Sequence, residues 1–262
     1  MFYQIDYKCD DGNPFQGFLN SVCGYKQDLS TKILHRKRLN LLSEILCNLK
    51  SNGTIKNFDS AIDIGCGSGI YSKILSDVGF MRVLGIDISE DGIGIANRTF
   101  SMKDEKREIE FMVADARNLD RSVTYDFILC TEVIEHVDHP ERVIEGINEM
   151  LKEDGIAIIS MPNLISLPFL AMLMASKMGR KTDSDMRSHM KYPFYETIRM
   201  FRRSGFEIIK SSGTNLIFNT PILRLLYGKA SFSAINEIDS SLSRRWPFLY
   251  FSQFFFLVIR KK

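Results

Sequence analysis

Three glycines at alternate positions constrain this chain more than any other feature of its sequence. Residues 61–73 read AIDIGCGSGIYSK, so a short apolar run ends in Gly65, Gly67 and Gly69, and a helix-like pattern follows. Alternate glycines let the backbone turn tightly and approach a ligand without an intervening Cβ atom. A strand that runs through such a turn into a helix is how α/β sheets hold nucleotide-like ligands at the carboxyl ends of their strands.

This glycine segment lacks the two common phosphate-binding signatures. A dinucleotide-type G-x-G-x-x-G motif needs a glycine at position 70, where the chain has Ile70. A P-loop needs a Gly-Lys-Ser or Gly-Lys-Thr triplet, which the sequence does not contain. The pattern therefore favours a ligand without phosphate groups.

Acidic residues end the next two predicted strands. The run VLGID ends in Asp87, 22 residues after Gly65, where a carboxylate in a nucleotide-binding βαβ unit accepts hydrogen bonds from ribose hydroxyls. The run IEFMVADA predicts a third strand followed by Asp115, which is suited to accept a hydrogen bond from an adenine amino group. Together with the glycines, these carboxylates indicate a nucleoside-like ligand.

Strand-like and helix-like segments alternate over residues 58–161, which predicts parallel strands with crossover helices on both faces. Predicted strands cover 60–64, 82–86, 109–113, 126–130 and 156–161, with a later strand at 206–213 and a last one at 249–260. Predicted helices cover 28–50, 69–78, 89–102, 140–151 and 193–204.

Five ordered blocks resemble the class I S-adenosylmethionine (SAM) dependent methyltransferases: AIDIGCGSG, VLGIDIS, FMVADARNL, YDFILCTEVIEHV and MLKEDGIAIISMPN. The resemblance is tight over 58–162, loose up to residue 207, and nearest to the ubiquinone-biosynthesis O-methyltransferase type because of EVIEHV. It implies an α/β, Rossmann-like, doubly wound seven-stranded sheet, mostly parallel with an antiparallel last strand. It also implies an N-terminal helical segment over 1–57 that covers the cofactor site. The methyltransferase domain would then cover 58–262, with substrate-side insertions near 163–190 and 219–245.

The resemblance assigns the glycine segment to the methionine portion of SAM. Gly65, Cys66, Gly67 and Gly69 would pass close to it. Asp63 would hold loop amides or, through water, the methionine amino group.

The resemblance assigns the following segments to the adenosine portion. Asp87 would bind the ribose hydroxyls, Ile88 and Ala116 would pack on the adenine faces, and Asp115 would hold the adenine amino group. Thr131, just past the fourth predicted strand, lies where this family usually contacts the cofactor.

His136 is the candidate base. The methyl group of SAM is already activated, so proximity and orientation can supply roughly 7–11 kcal/mol and few catalytic groups are expected. An imidazole with an ordinary pKa of about 6.5 suits proton acceptance from a hydroxyl. The alternative is a structural histidine bonded within its own loop. Arg38 is a further candidate, because an arginine of the N-terminal helix reaches the carboxylate of SAM in some relatives.

A metal site is the alternative use of the same loop. Glu132, Glu135, His136 and His139 form a compact set of carboxylate and imidazole ligands that could help a catechol-like acceptor. Pro140 and short-range crowding make simultaneous ligation awkward, so we expect no metal.

The composition and charge of the chain limit the kinds of partner and the location that we expect for it. A net charge of +2 and only short basic clusters do not favour nucleic acid. Five cysteines without a C-x-x-C motif, and an N-terminus without an apolar signal core, predict a cytoplasmic protein.

The apolar stretches 162–178 and 246–259 fall short of the ~20 residues of a spanning helix, and 246–259 reads as a buried strand. Peripheral membrane contact is an alternative that this pattern does not favour, and the oligomeric state stays open.

The sequence thus predicts a SAM-dependent methyltransferase that acts on a small molecule, at oxygen. Two alternatives remain open: a non-catalytic SAM-binding or scaffold protein on the same fold, and an RNA or protein methyltransferase.

Overall fold

The computed structural model describes residues 29–170, 173, 191–216 and 237–262. Its helices are α1 (Leu29–Ser51), α2 (Ile70–Val78), α3 (Glu90–Phe100), α4 (Pro140–Met150) and α5 (Phe194–Arg203), with a 3₁₀ helix over Phe248–Phe251. Its strands are β1 (Ser60–Ile64), β2 (Arg82–Asp87), β3 (Met102–Lys103), β4 (Glu108–Val113), β5 (Tyr125–Thr131), β6 (Leu151–Pro162), β7 (Phe206–Thr214) and β8 (Phe254–Lys261).

All eight strands form one sheet in the order β3-β4-β2-β1-β5-β6-β8-β7. The neighbours from β4 to β6 pair in parallel, and β8 runs antiparallel between β6 and β7. This arrangement confirms the predicted mostly parallel, doubly wound sheet with an antiparallel pair at its end. Since β1 pairs with both β2 and β5, the strand order reverses there, which opens a crevice at their carboxyl ends.

Three details of the predicted strands were wrong. The sheet has eight strands rather than seven, because β3 forms a two-residue antiparallel pair with β4 where the helical pattern continued to residue 102. Strand β6 begins at Leu151 rather than 156. The last strand begins at Phe254 rather than 249, because the aromatic run before it forms the 3₁₀ helix, with only Leu249 of that turn buried.

Helices cover both faces of the sheet. On one face, Leu42 and Leu46 of α1 join a buried cluster with Ile74 of α2. On the other face, Ile147 of α4 and Phe201 of α5 belong to a second buried cluster. The two clusters hold the strands in place, so that the loops at their carboxyl ends project from a packed support.

Most of the two predicted insertions lies outside the described residues, which include only 163–170 and 173 of the first and 237–245 of the second. Within the described ranges, no helix has a long enough apolar stretch to cross a bilayer.

Candidate active site

A cleft of about 450 Å³ lies where the carboxyl ends of β1, β2, β4 and β5 meet. Its walls are formed by Gly65, Ile86, Asp87, Ile88, Ala114, Asp115, Ala116, Arg117, Glu132, Val133, His136, Val137 and Asp138. The structure therefore brings together seven of the residues singled out from the sequence: Gly65, Asp87, Ile88, Asp115, Ala116, Glu132 and His136.

Gly65 of the glycine loop lines this cleft, whereas Gly67 and Gly69 are not among the residues of its wall. Gly65, Gly67 and Gly69 have φ angles of 75°, 52° and 86°, a region that other residues rarely adopt. A Cβ atom on Gly65 would lie 2.1 Å from the Val133 side chain, and one on Gly69 would lie 2.7 Å from the ring of Phe111. A Cβ atom on Gly67 would meet nothing within 4 Å, so this backbone faces open space. The loop thus packs closely on its inner side and leaves room on the other.

Asp87 connects the glycine loop to the turn after β2. Its Oδ2 accepts a hydrogen bond from the amide of Gly67 at 2.8 Å, and its Oδ1 accepts one from the amide of Ser89 at 2.8 Å. Ser89 in turn caps α3 by accepting from the Gly92 amide at 3.1 Å. Each carboxylate oxygen has further lone pairs, so Asp87 can still accept hydrogen bonds from a ligand in the cleft.

Asp63 is completely buried beneath the loop. The hydroxyl of Ser72 donates to its Oδ2 at 2.7 Å, while within the described part of the chain its Oδ1 has no hydrogen-bond partner. Burial raises the pKa of Asp63 to about 7. A buried acceptor without a donor costs about 1–3 kcal/mol, so this site fits a ligand or water that supplies one.

The far end of the cleft combines apolar surface with an ion pair. Ile88 is 69% exposed, which is unusual for isoleucine, and it faces the cleft together with Ala116. Arg117 donates two hydrogen bonds to Oδ2 of Asp115, from Nε at 3.0 Å and from Nη2 at 2.6 Å. These hydrogen bonds lower the pKa of Asp115. Arg117 was not singled out from the sequence, where its position two residues after the predicted acid was its only signal.

Glu132 occupies a strained position in the cleft wall. Its φ is 57°, which is uncommon for a residue with a side chain. Arg38 of α1 donates to its Oε2, the hydroxyl of Ser160 donates to its Oε1 at 3.1 Å, and the Arg38 guanidinium lies 4.6 Å from the centre of the Phe254 ring. Nη2 of Arg38 also lies 2.7 Å from Nδ1 of His35, whose pKa burial lowers to about 4. Arg38 thus bonds a protein carboxylate of the cleft.

His136 lies in the cleft wall with its side chain 46% exposed. Its Nε2 is 3.9 Å from Oε1 of Glu135, which is buried. Burial, reinforced by the neighbouring Glu132 carboxylate, raises the pKa of Glu135 to about 9. His139 points elsewhere: it is exposed, and its Nδ1 lies 3.1 Å from Oε1 of Glu141.

The alternative metal set from the sequence includes His139, which pairs with Glu141 outside the cleft wall. Among the described residues, no group of three or more His, Cys, Asp or Glu side chains is arranged to hold a metal ion.

Cys66 and Thr131, also singled out from the sequence, are buried and lie outside the cleft wall. Burial raises the pKa of the Cys66 thiol, which lies 3.8 Å from the carbonyl oxygen of Gly67. Thr131 is the last residue of β5 and directly precedes Glu132. Their predicted contacts with a cofactor stay predictions.

The family described as "Methyltransferase domain" matches residues 33–211 of this chain. The match covers more than half of the chain and includes most of α1, the glycine loop and every residue of the cleft wall. The chain therefore belongs to this family of methyltransferase domains.

Curated relatives match about half of the chain. The ubiquinone biosynthesis O-methyltransferase of Rickettsia conorii is 31% identical over 138 residues, which are 53% of this chain and 45% of that protein. The protein of the same name from Colwellia psychrerythraea is 30% identical over 132 residues, 50% of this chain and 53% of that protein. The chain thus spans about half the length of the curated relatives it matches.

Solved structures share the fold. Magnesium protoporphyrin IX methyltransferase from Synechocystis, solved with bound S-adenosylhomocysteine (SAH), superposes with a TM-score of 0.63 at 17% identity, covering 94% of this chain and 95% of that one. A SAM-dependent methyltransferase from Archaeoglobus fulgidus gives 0.54 at 19% identity, covering 94% and 99%. At these identities the likeness concerns the fold alone.

Proposed function

We propose that this chain transfers the methyl group of SAM to a hydroxyl oxygen of a small-molecule acceptor. The observation that carries the proposal is a single cleft that joins the Asp87-bound glycine loop at one end to an accessible imidazole, His136. The names of the curated relatives, which are O-methyltransferases, support oxygen as the methylated atom.

The residues present fit SAM at both of its ends. Asp63 Oδ1 is a buried acceptor that lacks a donor among the described residues, and an ammonium group, directly or through water, would supply one. Asp87 would bind the ribose hydroxyls, and the exposed side chain of Ile88 would gain apolar cover from adenine, with Ala116 on the other face. Asp115 would hold the adenine amino group while still paired with Arg117.

When bound, SAM supplies a methyl group on a positively charged sulfur, which needs no further activation. His136 accepts the proton of the acceptor hydroxyl as the acceptor oxygen bonds to the methyl carbon. Breaking of the carbon–sulfur bond, with its electron pair left on sulfur, would give SAH and a methyl ether. The walls of the cleft hold the oxygen in line with the methyl group, which is the larger part of the catalysis we expect.

The N-terminal helix would complete the site. Arg38 of α1 fixes Glu132 in the cleft wall by a side-chain hydrogen bond. We therefore assign α1 to the cover of the cofactor site and the remainder from residue 58 onward to the methyltransferase domain.

The test combines a binding assay with an acceptor screen. We expect calorimetry to show binding of SAM and SAH to the chain. We expect SAH release with phenols or quinone precursors, in a panel that also includes sugars, lipid-linked glycans, amines and RNA. SAM binding with SAH release only from amines or RNA would contradict oxygen transfer to a small molecule. SAM binding without any release would favour a non-catalytic protein.

A further inference from the structure

Five large apolar side chains are exposed at one edge of the molecule, and we name them the apolar edge. They are Leu167, Leu170, Trp246, Phe248 and Phe251. Trp246 is 80% exposed, the highest value among the large apolar residues that the structure describes as exposed. Apolar side chains exposed together mark an interaction surface, whereas singly scattered ones are normal on soluble proteins.

The apolar edge draws on two segments of the chain that the fold joins by hydrogen bonds. The side-chain amide of Asn163 donates to the carbonyl oxygens of Tyr250 at 2.8 Å and Ser252 at 3.0 Å, which joins the segment 163–170 to the 3₁₀ helix. Both segments lie at the carboxyl end of β6, where Pro162 pairs with Phe254. That is the edge of the sheet at which the cleft opens.

The exposed rings are held outward by the fold. Leu249 is buried in the core, and its amide donates to the carbonyl oxygen of Arg245 at 2.9 Å. The hydroxyl of Ser252 donates to the carbonyl oxygen of Ser243 at 3.1 Å, which ties the end of the 3₁₀ helix to the residues before it. Because Leu249 anchors the turn, the neighbouring rings are presented to solvent by a supported element rather than by a loose end.

The charged residues next to the apolar edge indicate which kind of partner binds there. Arg244 and Arg245 directly precede Trp246, and neither 163–170 nor 240–259 contains an acidic residue. Arg244 donates to Glu44 at 2.6 Å, while Arg245 is exposed beside the rings. The Glu44 carboxylate offsets the charge of Arg244 and leaves Arg245 beside the rings. Aromatic rings at the level of lipid headgroups, next to an arginine, suit the surface of an anionic bilayer.

We propose that the apolar edge docks this chain on the surface of an anionic lipid bilayer, with the cleft edge of the sheet turned toward the lipid. The sequence predicted a buried strand over 246–259, which the structure confirms from Phe254 onward but not for the exposed residues before it. It does not depend on methyl transfer, since the surface is outside the cleft wall. It allows an acceptor held in the membrane to reach the cleft.

Trp246 is the only tryptophan of the chain, so its fluorescence reports on this surface directly. We expect vesicles of phosphatidylcholine with a quarter of phosphatidylglycerol to shift the emission to shorter wavelength and to reduce quenching by acrylamide. Vesicles of phosphatidylcholine alone should act more weakly. The variant Phe248→Ser/Phe251→Ser keeps the probe and should bind vesicles roughly tenfold more weakly or worse. Arg245→Glu should remove the preference for anionic lipid.

Met81→Ser is the matched control, because Met81 is also exposed but precedes β2 at the opposite edge of the sheet. It should bind vesicles like the unmodified chain, and SAM affinity checks the folding of every variant. Unchanged emission and quenching up to millimolar lipid would overturn the proposal. So would full binding by the double phenylalanine variant. Emission already at short wavelength without lipid, or a dimer in sedimentation that shields Trp246, would also overturn it, by showing that the chain itself or a second copy covers the edge.

Discussion

The carboxylate of Asp87 accepts a hydrogen bond from the backbone amide of Gly67, with Oδ2 and the amide nitrogen 2.8 Å apart. This bond joins the loop after β1 to the end of β2, next to the point where the strand order of the sheet reverses. Asp87 therefore both stabilises the conformation of the glycine loop and lies in the cleft wall. A change at Asp87 therefore acts on the loop and on any ligand together.

The close packing of Gly69 makes it intolerant of a side chain. Gly69→Ala places a Cβ atom at a φ of 86° and 2.7 Å from the ring of Phe111, so we expect a loss of about 2–4 kcal/mol in the free energy of unfolding. Gly53→Ala is the control, since Gly53 has a φ of 71° but nothing within 4 Å, and it should lose only about 1 kcal/mol. Urea unfolding measures both. Equal losses would show that packing against Phe111 plays no part.

Removing one member of the largely buried Arg38–Glu132 ion pair should destabilise the chain. Arg38→Met leaves the Glu132 carboxylate without its cationic partner, and we expect a loss of about 3 kcal/mol in the free energy of unfolding. Arg38→Met/Glu132→Gln should recover about 1–2 kcal/mol of that loss. Lys56→Met breaks an exposed pair with Asp154 and should cost less than about 1 kcal/mol. Additive effects at positions 38 and 132 would contradict the pairing.

Glu135 should make the stability of the chain fall as pH rises. Its pKa is raised from an ordinary 4.5 to about 9 in the folded state, first by burial. Between these values the folded state keeps a proton that the unfolded state has released, so folding weakens by up to about 1.4 kcal/mol per pH unit. Glu135→Gln removes this dependence.

The stability gain of Glu135→Gln over the unmodified chain should therefore be small near pH 5 and grow toward pH 8. Thermal or urea unfolding across this range measures the effect, and Glu145→Gln at an exposed position is the control. A gain that stays constant with pH would mean that Glu135 is ionised in the folded chain.

His136 should affect turnover and leave cofactor binding unchanged. His136→Gln removes the proposed base, so we expect kcat to fall by about 10²–10⁴ with an acceptor found in the screen, while the Kd for SAM stays the same. His139→Gln is the control, because His139 is exposed and lies outside the cleft wall. A loss of SAM affinity without a change in kcat would assign His136 a structural role instead.

Local signals made the centre of the site predictable. Asp87 ends β2, and the glycine loop and Asp115 follow β1 and β4, so the periodicity of the chain alone places these residues at one edge of a sheet. The positive φ of Glu132 could not be predicted from the sequence, because the side chain is held by Arg38, 94 residues away, and by Ser160. No local pattern encodes contacts between segments so far apart.

The periodicity of the sequence also could not predict the short strand β3 or the exposure of the aromatic residues before β8. A two-residue strand such as β3 has no periodicity, and it exists because β4 offers it an edge to pair with. A run of aromatic residues reads as a buried strand whether its rings face the core or solvent. Only the structure shows that Leu249 is buried whereas Trp246 is exposed.

The most direct test of the central claim is calorimetric titration of SAM into the unmodified chain, Asp87→Ala and Asp91→Ala. Asp91 is an exposed acid in the first turn of α3, so its variant controls for lost charge near the cleft. We predict that SAM binds the unmodified chain and Asp91→Ala alike, and binds Asp87→Ala about a hundredfold more weakly, as expected for lost hydrogen bonds to a carboxylate. Equal affinity of a folded Asp87→Ala variant for SAM would contradict the assignment of this cleft to the cofactor.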